Sequence, residues 1–215
     1  MTFPEAVLWD MDGTLVDTEP YWIETEYELA ERFGATWSQE QALTMVGWDL
    51  LDSGAYMKTQ MDLDLTPAEI VDLLLDGVVE RVRQEIPWRP GARELLEDLR
   101  SDNVRCALVT MSYQRFVEPI LEQLPEGTFE VIVTGDRVEF GKPHPEPYLK
   151  AAEELGIRTA DCVAIEDSNT GAKSAEEAGC LVLCVPNHVP ILPGERRVFR
   201  DSLVGVTADE LGRLG

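Results

Sequence analysis

The sequence predicts an α/β fold: a mostly parallel sheet with helices on both faces, interrupted early by an all-helical insertion. Three observations predict it. From residue 89 onward, apolar runs of strand length alternate with segments of helical periodicity. Between Thr18 and Trp88 helical spacing continues with no convincing strand. A chain of 215 residues, 44% of them hydrophobic, is one large domain or a domain with a substantial insertion, and it buries a core without staples.

The opening run, residues 6–9, is apolar throughout, as a strand buried on both faces requires. It stops at Asp10-Met11-Asp12-Gly13-Thr14, where Gly13 permits a sharp turn. Thr18-Glu19-Pro20 starts a helix that runs over 21–33 and stops at Gly34. Ser38 opens a helical piece ending near Val46-Gly47, and helices over 49–61 and 67–83 follow. Pro87 and Pro90-Gly91 close the insertion. The alternating part then reads helix 92–100, strand 104–110, helix 116–123 broken or kinked at Pro119, and strand 131–133. Helix 146–155, strand 162–165, helix 171–178 and strand 181–185 continue it. Val204-Gly205-Val206 reads as a last short edge strand before a terminal helix from Ala208. The expected division is a core of 1–17 and 89–215 and a helical module of 18–88.

Composition excludes several function classes. A net charge of −23 argues against nucleic acid or an anionic membrane as partner, so an anionic substrate needs a local basic spot. Cys106, Cys162, Cys180 and Cys184 lie in or beside apolar runs with no Cys-x-x-Cys spacing, and no signal-peptide-like or membrane-length apolar segment occurs. Reduced core cysteines and a cytoplasmic location are the expectation. With His144 and His188 as the only histidines, a His-based triad or multi-His zinc site is excluded as an expectation.

The chemistry is read at the strand ends. Asp10 and Asp12, two apart in an extended chain, face one spot beyond the first strand, and two carboxylates there stay ionised together only around a cation such as Mg2+. The later strand ends give Thr110-Met111-Ser112, Gly135-Asp136 followed by Gly141-Lys142-Pro143, and Glu166-Asp167-Ser168-Asn169. In a parallel sheet these ends share one edge. The set suits phosphoryl transfer: one carboxylate to attack phosphorus, a second to move the proton, hydroxyl and ammonium groups to hold oxygens, and further acids for the metal. Taken singly, Thr110 is equally a turn residue, Lys142 a surface lysine, and Glu166-Asp167 an acidic pair at a helix start with Ser168 as N-cap. Their order on four strand ends is what points to chemistry.

The stretches 10–20, 109–112, 141–148 and 165–171 resemble the haloacid dehalogenase superfamily of hydrolases, in the branch of sugar-phosphate phosphatases and β-phosphoglucomutase. They run in family order and span nearly the whole chain. The resemblance implies a Rossmann-like core with a mobile helical cap that sets substrate specificity, and an Mg2+-dependent phosphatase acting through an aspartyl phosphate. It implies Asp10 as nucleophile, Asp12 as general acid/base, and Thr110 and Lys142 as phosphate holders. Met111 and Ser112, with Gly47 and Trp48 of the cap loop, become substrate contacts. Mg2+ falls to Asp10, the backbone carbonyl of Asp12, and Asp167, with Glu166 close by or through water. The substrate class is a small phosphorylated metabolite, sugar phosphates included; monomer and homodimer both stay open.

Other branches fit less well. Dehalogenases and phosphonatases lack the acid at Asp12, and the cap offers no lysine after Gly47, Lys58 being read as solvated. A mutase of the β-phosphoglucomutase type carries a His where this chain has Trp22 and a cap Arg where it has Gly47-Trp48-Asp49. A non-enzymatic phospho-receiver shares the acidic pocket but is shorter and has no cap. Trp48 is read either as a substrate contact or as helix packing; Tyr21 and Trp22 are read chiefly as packing.

Overall fold

The computed structural model describes residues 4–45 and 48–214. Six strands form one sheet: β1 (Ala6–Trp9), β2 (Arg105–Val109), β3 (Val131–Val133), β4 (Cys162–Glu166), β5 (Leu181–Cys184) and β6 (Arg197–Phe199). Their order is β3-β2-β1-β4-β5-β6, and every pairing is parallel. The chain steps outward from β1 to β2 and β3, then returns to the other side of β1. Open α/β sheets form their ligand crevice at such a reversal, beyond the carboxyl ends of the strands.

Period two governs the core. Val7 and Trp9 enter one apolar layer with α5 (Ala92–Ser101), α6 (Gln114–Leu121) and α9 (Ala208–Gly212). Ala6 and Leu8 enter the other, with α7 (Glu146–Leu155) and α8 (Asn169–Ala178). The four cysteines are free, buried thiols, and burial pushes Cys106, Cys162 and Cys184 up to about 12, which leaves them unreactive.

Most element ends fall within a residue or two of the sequence expectation; two helices and one strand differ in instructive ways. α8 starts two residues earlier, at Asn169, because Ser168 Oγ accepts the Gly171 N–H at 3.1 Å. α6 also starts two residues earlier and runs on for only two residues past Pro119. Residues 204–206 are not the edge strand; β6 lies at Arg197–Phe199. Gly205 sits at φ +81° in a turn, and a Cβ on Gly91 would lie 2.3 Å from the Leu203 carbonyl carbon. Leu203 and Val206 are apolar because they pack, not because they pair.

The insertion holds α1 (Glu19–Arg32), α2 (Gln39–Thr44), α3 (Leu50–Met61) and α4 (Pro67–Gln84), with no strand among the described residues. The expected end of α2 near Val46-Gly47 lies outside the described residues. Ser38 with Gln41 and Thr66 with Glu69 form capping boxes, Asp49 caps α3, and Pro67 opens α4. α4 is apolar on two sides. Ile70 and Leu74 join Leu29, Trp37, Met57 and Met61 in a core of the insertion's own. Val71, Leu75, Val78 and Val82 reach the sheet's first layer beside Phe116. The two connectors cross side by side, with Asp17 N–H on Pro87 O at 2.8 Å and Arg89 N–H on Leu15 O at 3.0 Å. Trp22 meets Phe116 edge-on at 5.6 Å, and the Tyr21 hydroxyl donates to Glu85 O at 3.2 Å; both pack. No described helix is long and apolar enough to cross a membrane.

Candidate active site

Register sets the site. Trp9 pairs with Leu108 on one side and Ile165 on the other, so Asp10 stands level with Val109 and Glu166. Lys142 reaches into this level from the loop before α7. Its Nζ donates to Asp10 Oδ1 at 2.6 Å, Glu166 Oε1 at 2.7 Å and Val109 O at 2.9 Å. Three acceptors satisfy the three protons of an ammonium. Burial opposes the charge, but the Asp10 and Glu166 carboxylates outweigh it and hold Lys142 above the usual lysine range.

Glu166 is fully buried, and its Oε1 also accepts the Tyr148 hydroxyl at 2.6 Å. Burial and then Asp10 push it up, while Lys142 and the hydroxyl oppose. It lies against Gly171, where an added Cβ would come within 1.9 Å of Oε1. Asp12 faces a different set of partners. Ser112 Oγ donates to its Oδ2 at 2.6 Å and Thr18 Oγ1 donates to its Oδ1. Burial pushes Asp12 up to about 6, the two hydroxyls opposing and Asp10 adding.

Asp167 closes the cluster. Gly13, at φ +89°, lets it approach so nearly that a Cβ there would lie 2.0 Å from Asp167 Oδ2. Burial, then Asp10 and Glu166, push Asp167 up to about 9. No hydrogen-bond donor reaches it among the described residues, and Asp10 Oδ2 is buried without a partner. One carboxylate oxygen from each of Asp10, Glu166 and Asp167 lies within 4.8 Å of the others. Converging hard oxygens, an orphaned Asp10 oxygen and an Asp167 with no donor fit a small divalent cation such as Mg2+. Glu166, already carrying Lys142 and Tyr148, stands second to the other two.

The remaining predicted residues divide. Thr110 is buried beside this cluster, its Oγ1 accepting the Ser112 N–H at 3.0 Å. Met111 is brought in as a brace, its sulfur accepting the Lys142 N–H at 3.2 Å and so fixing the lysine's loop. Trp48 is 44% exposed and packs edge-on against Tyr56 at 5.5 Å. Burial, with Asp49 and Asp136 adding, raises the Tyr113 hydroxyl. Gly47 lies outside the described residues.

Sequence reasoning gave no role to four residues. Tyr148 lay in a matched stretch but reads as an ordinary core aromatic. Thr18 reads as a helix cap, yet makes no cap bond and serves Asp12. Burial pushes Glu19 up to about 7, with His188 opposing and Asp12 and Asp17 adding. Glu26, only 5% exposed, accepts Trp37 Nε1–H at 2.9 Å; burial pushes it up to about 7, Trp37 opposing and Glu19 adding. Helical spacing puts Glu26 on the inward face with Leu29 and Ala30, which was the available signal.

Glu26 carries a stability prediction. Its folded pKa is raised, so between pH 4.5 and about 7 the folded chain keeps a proton the unfolded chain loses. Stability from this group therefore falls as pH rises through that window, by roughly 3 kcal/mol at most. In urea unfolding, Glu26→Gln is expected to match wild type near pH 4.5 and to gain on it by up to roughly 3 kcal/mol at pH 8. A difference that does not change with pH contradicts this.

Comparison with known proteins agrees with the geometry. A family model described as haloacid dehalogenase-like hydrolase matches residues 7–185. The phosphorylated carbohydrates phosphatase of Thermotoga maritima is 34% identical over 184 residues, covering 81% of this chain and 82% of its own. A phosphoglycolate phosphatase of Nitrosococcus oceani is 30% identical over 218 residues, covering 94% and 95%. The crystal structure of CbbY from Rhodobacter sphaeroides in complex with phosphate superposes with a TM-score of 0.86 at 26% identity, covering 98% of this chain and 99% of that one. The chain belongs to the haloacid dehalogenase-like hydrolases, as one of the family's phosphatases.

Proposed function

We propose that the protein hydrolyses a small phosphorylated carbohydrate in the presence of Mg2+, through an acyl phosphate on Asp10. The observation that carries this reading is the separation of the two opening carboxylates. Asp10 is drawn into the cluster with Lys142, Glu166 and Asp167, while Asp12 is held apart by two hydroxyls. Asp10 attacks phosphorus, the bond to the leaving oxygen breaks, and Asp12 gives that oxygen its proton. Water then attacks phosphorus and passes a proton to Asp12, the bond to Asp10 breaks, and phosphate leaves. A carboxyl raised to about 6 is suited to both transfers near neutral pH.

Thr110 Oγ1 and Lys142 Nζ hold the non-bridging oxygens, Ser112 orients Asp12, and Met111 and Tyr148 fix Lys142 and Glu166. Mg2+ would be held by Asp10, Asp167 and the backbone carbonyl of Asp12, with Glu166 beside it. When bound it supplies the positive charge that offsets repulsion between carboxylate and phosphate. The helices over 18–88 act as the cap, with Trp48 meeting the leaving group. Trp22 supports hydrolysis over mutation of a sugar phosphate, since it packs on Phe116 and brings no second acid–base group. The carbohydrate class rests on the similarity to the Thermotoga maritima phosphatase.

The test is a panel of phosphorylated sugars and polyols on purified protein. Chelation is expected to lower turnover on the order of 10²–10³-fold, with recovery on added Mg2+. Rapid acid quench is expected to trap phosphate on Asp10. Undiminished activity after chelation, or phosphate on a different side chain, overturns the reading.

A further inference from the structure

The chemistry assigned to Asp10 and Asp12 gives the sulfur of Met111 no reaction of its own, yet among the described residues no sulfur is better placed for one. Cys106, Cys162, Cys180 and Cys184 are buried, and burial pushes each of their thiols up, away from the reactive thiolate. Met11, Met45, Met57 and Met61 are buried as well. Among the described residues Met111 is the one methionine that keeps part of its surface in solvent. A thioether needs no deprotonation to be oxidised, so access decides which methionine reacts first.

Its position gives that reaction a consequence. Met111 stands between Thr110 and Ser112, directly after β2. Its carbonyl is pressed on Gly135, where a Cβ would lie 2.1 Å from the oxygen. Its sulfur accepts Lys142 N–H at 3.2 Å and faces Gly141, where a Cβ would lie 2.8 Å from Sδ. The far side of the same loop is held by α8, whose Ser174 Oγ donates to His144 O at 2.6 Å. This backbone aims Lys142 Nζ at Asp10 and Glu166, 2.6 and 2.7 Å away. Oxidation ends the sulfur's service as acceptor, because electron density moves to the added oxygen. The Lys142 N–H then follows that oxygen to a new position or goes unpaired. The side chain also becomes bulkier and polar where it packs on Gly141.

We propose that Met111 is a site of reversible oxidation: a hydroperoxide converts its thioether to the sulfoxide, which shifts the Lys142 loop and switches the phosphate pocket off. Sulfur attacks one peroxide oxygen, the O–O bond breaks and an S–O bond forms. With hydrogen peroxide, the proton on the transferred oxygen passes to the departing hydroxide, which leaves as water. Sulfur is oxidised and the peroxide is reduced. The effect on turnover rests on the phosphatase reading, whereas the site of oxidation does not.

The test treats purified protein with hydrogen peroxide and follows it by peptide fragmentation mass spectrometry and by turnover of a phosphorylated sugar with Mg2+. Met111 is expected to gain an oxygen before Met11, Met45, Met57 and Met61, and activity is expected to fall in step with that gain. The sulfoxide form is expected to keep on the order of a hundredth of the untreated rate, the cost of a displacement of about 1 Å at a reacting centre. Methionine sulfoxide reductases for both epimers, with a thiol reductant, are expected to restore it. Met111→Leu, which fills similar space without the sulfur, is expected to keep more than about half of its own untreated activity under treatment that silences wild type. Earlier oxidation at one of the other four, activity that outlasts full conversion at Met111, loss that the reductases do not reverse, or equal sensitivity in Met111→Leu overturns the proposal. If untreated protein turned over no ester on the panel, the phosphatase reading would be the one to fall. Calorimetric binding of inorganic phosphate with Mg2+ then decides Met111: binding about tenfold weaker in the sulfoxide form upholds it, and equal or absent binding overturns it.

Discussion

Asp10→Asn is expected to lower turnover by about 10⁴-fold or more while leaving the fold at least as stable as wild type. The two halves of this result have different causes. An amide oxygen does not attack phosphorus as a carboxylate does, so the covalent route closes. The same oxygen still accepts from Lys142, whose bond to Asp10 measures 2.6 Å. Removing the charge also relieves Asp12, Glu166 and Asp167, each of which Asp10 pushes up. Steady-state rates on a phosphorylated sugar and urea unfolding of the same preparation measure both. Residual activity above about a hundredth of wild type would end the case for Asp10 as nucleophile, and a large drop in stability would mean that Lys142 needs the carboxylate for structure.

The fold was legible where local chemistry decides it. Strand apolarity on both faces, Pro67 and the Thr66–Glu69 box, and Gly156 after Leu155 are signals carried within a few residues, and the elements they mark stand where expected. The edge strand was not legible. Val204 and Val206 look like pairing residues, but the strand that pairs is Arg197–Phe199, half-exposed and charged at its start. Apolar spacing reports burial, and at 203–206 burial comes from packing on Gly91.

The site divides along the same line. Asp10, Asp12, Lys142, Glu166 and Asp167 were nameable because strand ends of a parallel sheet must meet on one edge. What the sequence could not show is how they share partners. That Tyr148 and Lys142 converge on one oxygen of Glu166, that Thr18 turns from its helix to Asp12, and that Met111 grips the Lys142 backbone are contacts between elements distant in the chain. Glu26 was hidden for a related reason. Acids on helices are commonly solvated, and only the packing of α1 against Trp37 removes this one from water.

Lys142→Met is expected to have the opposite effect on stability from Asp10→Asn, and to abolish activity as well. The methionine fills much the same space but leaves Asp10, Glu166 and Asp167 without their ammonium in a buried setting. Breaking a buried pair by deleting one partner costs roughly 3–5 kcal/mol, since the surviving charge stays desolvated. The sign with pH follows. In the variant the carboxylates lose the group that lowered Glu166 and Asp167, so their folded pKa values rise further above the unfolded ones. The folded chain then holds protons that the unfolded chain has lost, and the deficit against wild type is expected to shrink as pH falls from 8 towards 5. Urea unfolding at the two pH values, without added metal, reads this directly. A variant as stable as wild type at pH 8, or one whose deficit grows on acidification, would show that the lysine does not neutralise this cluster, and the reading of the site as a charge-balanced phosphate pocket would fail with it.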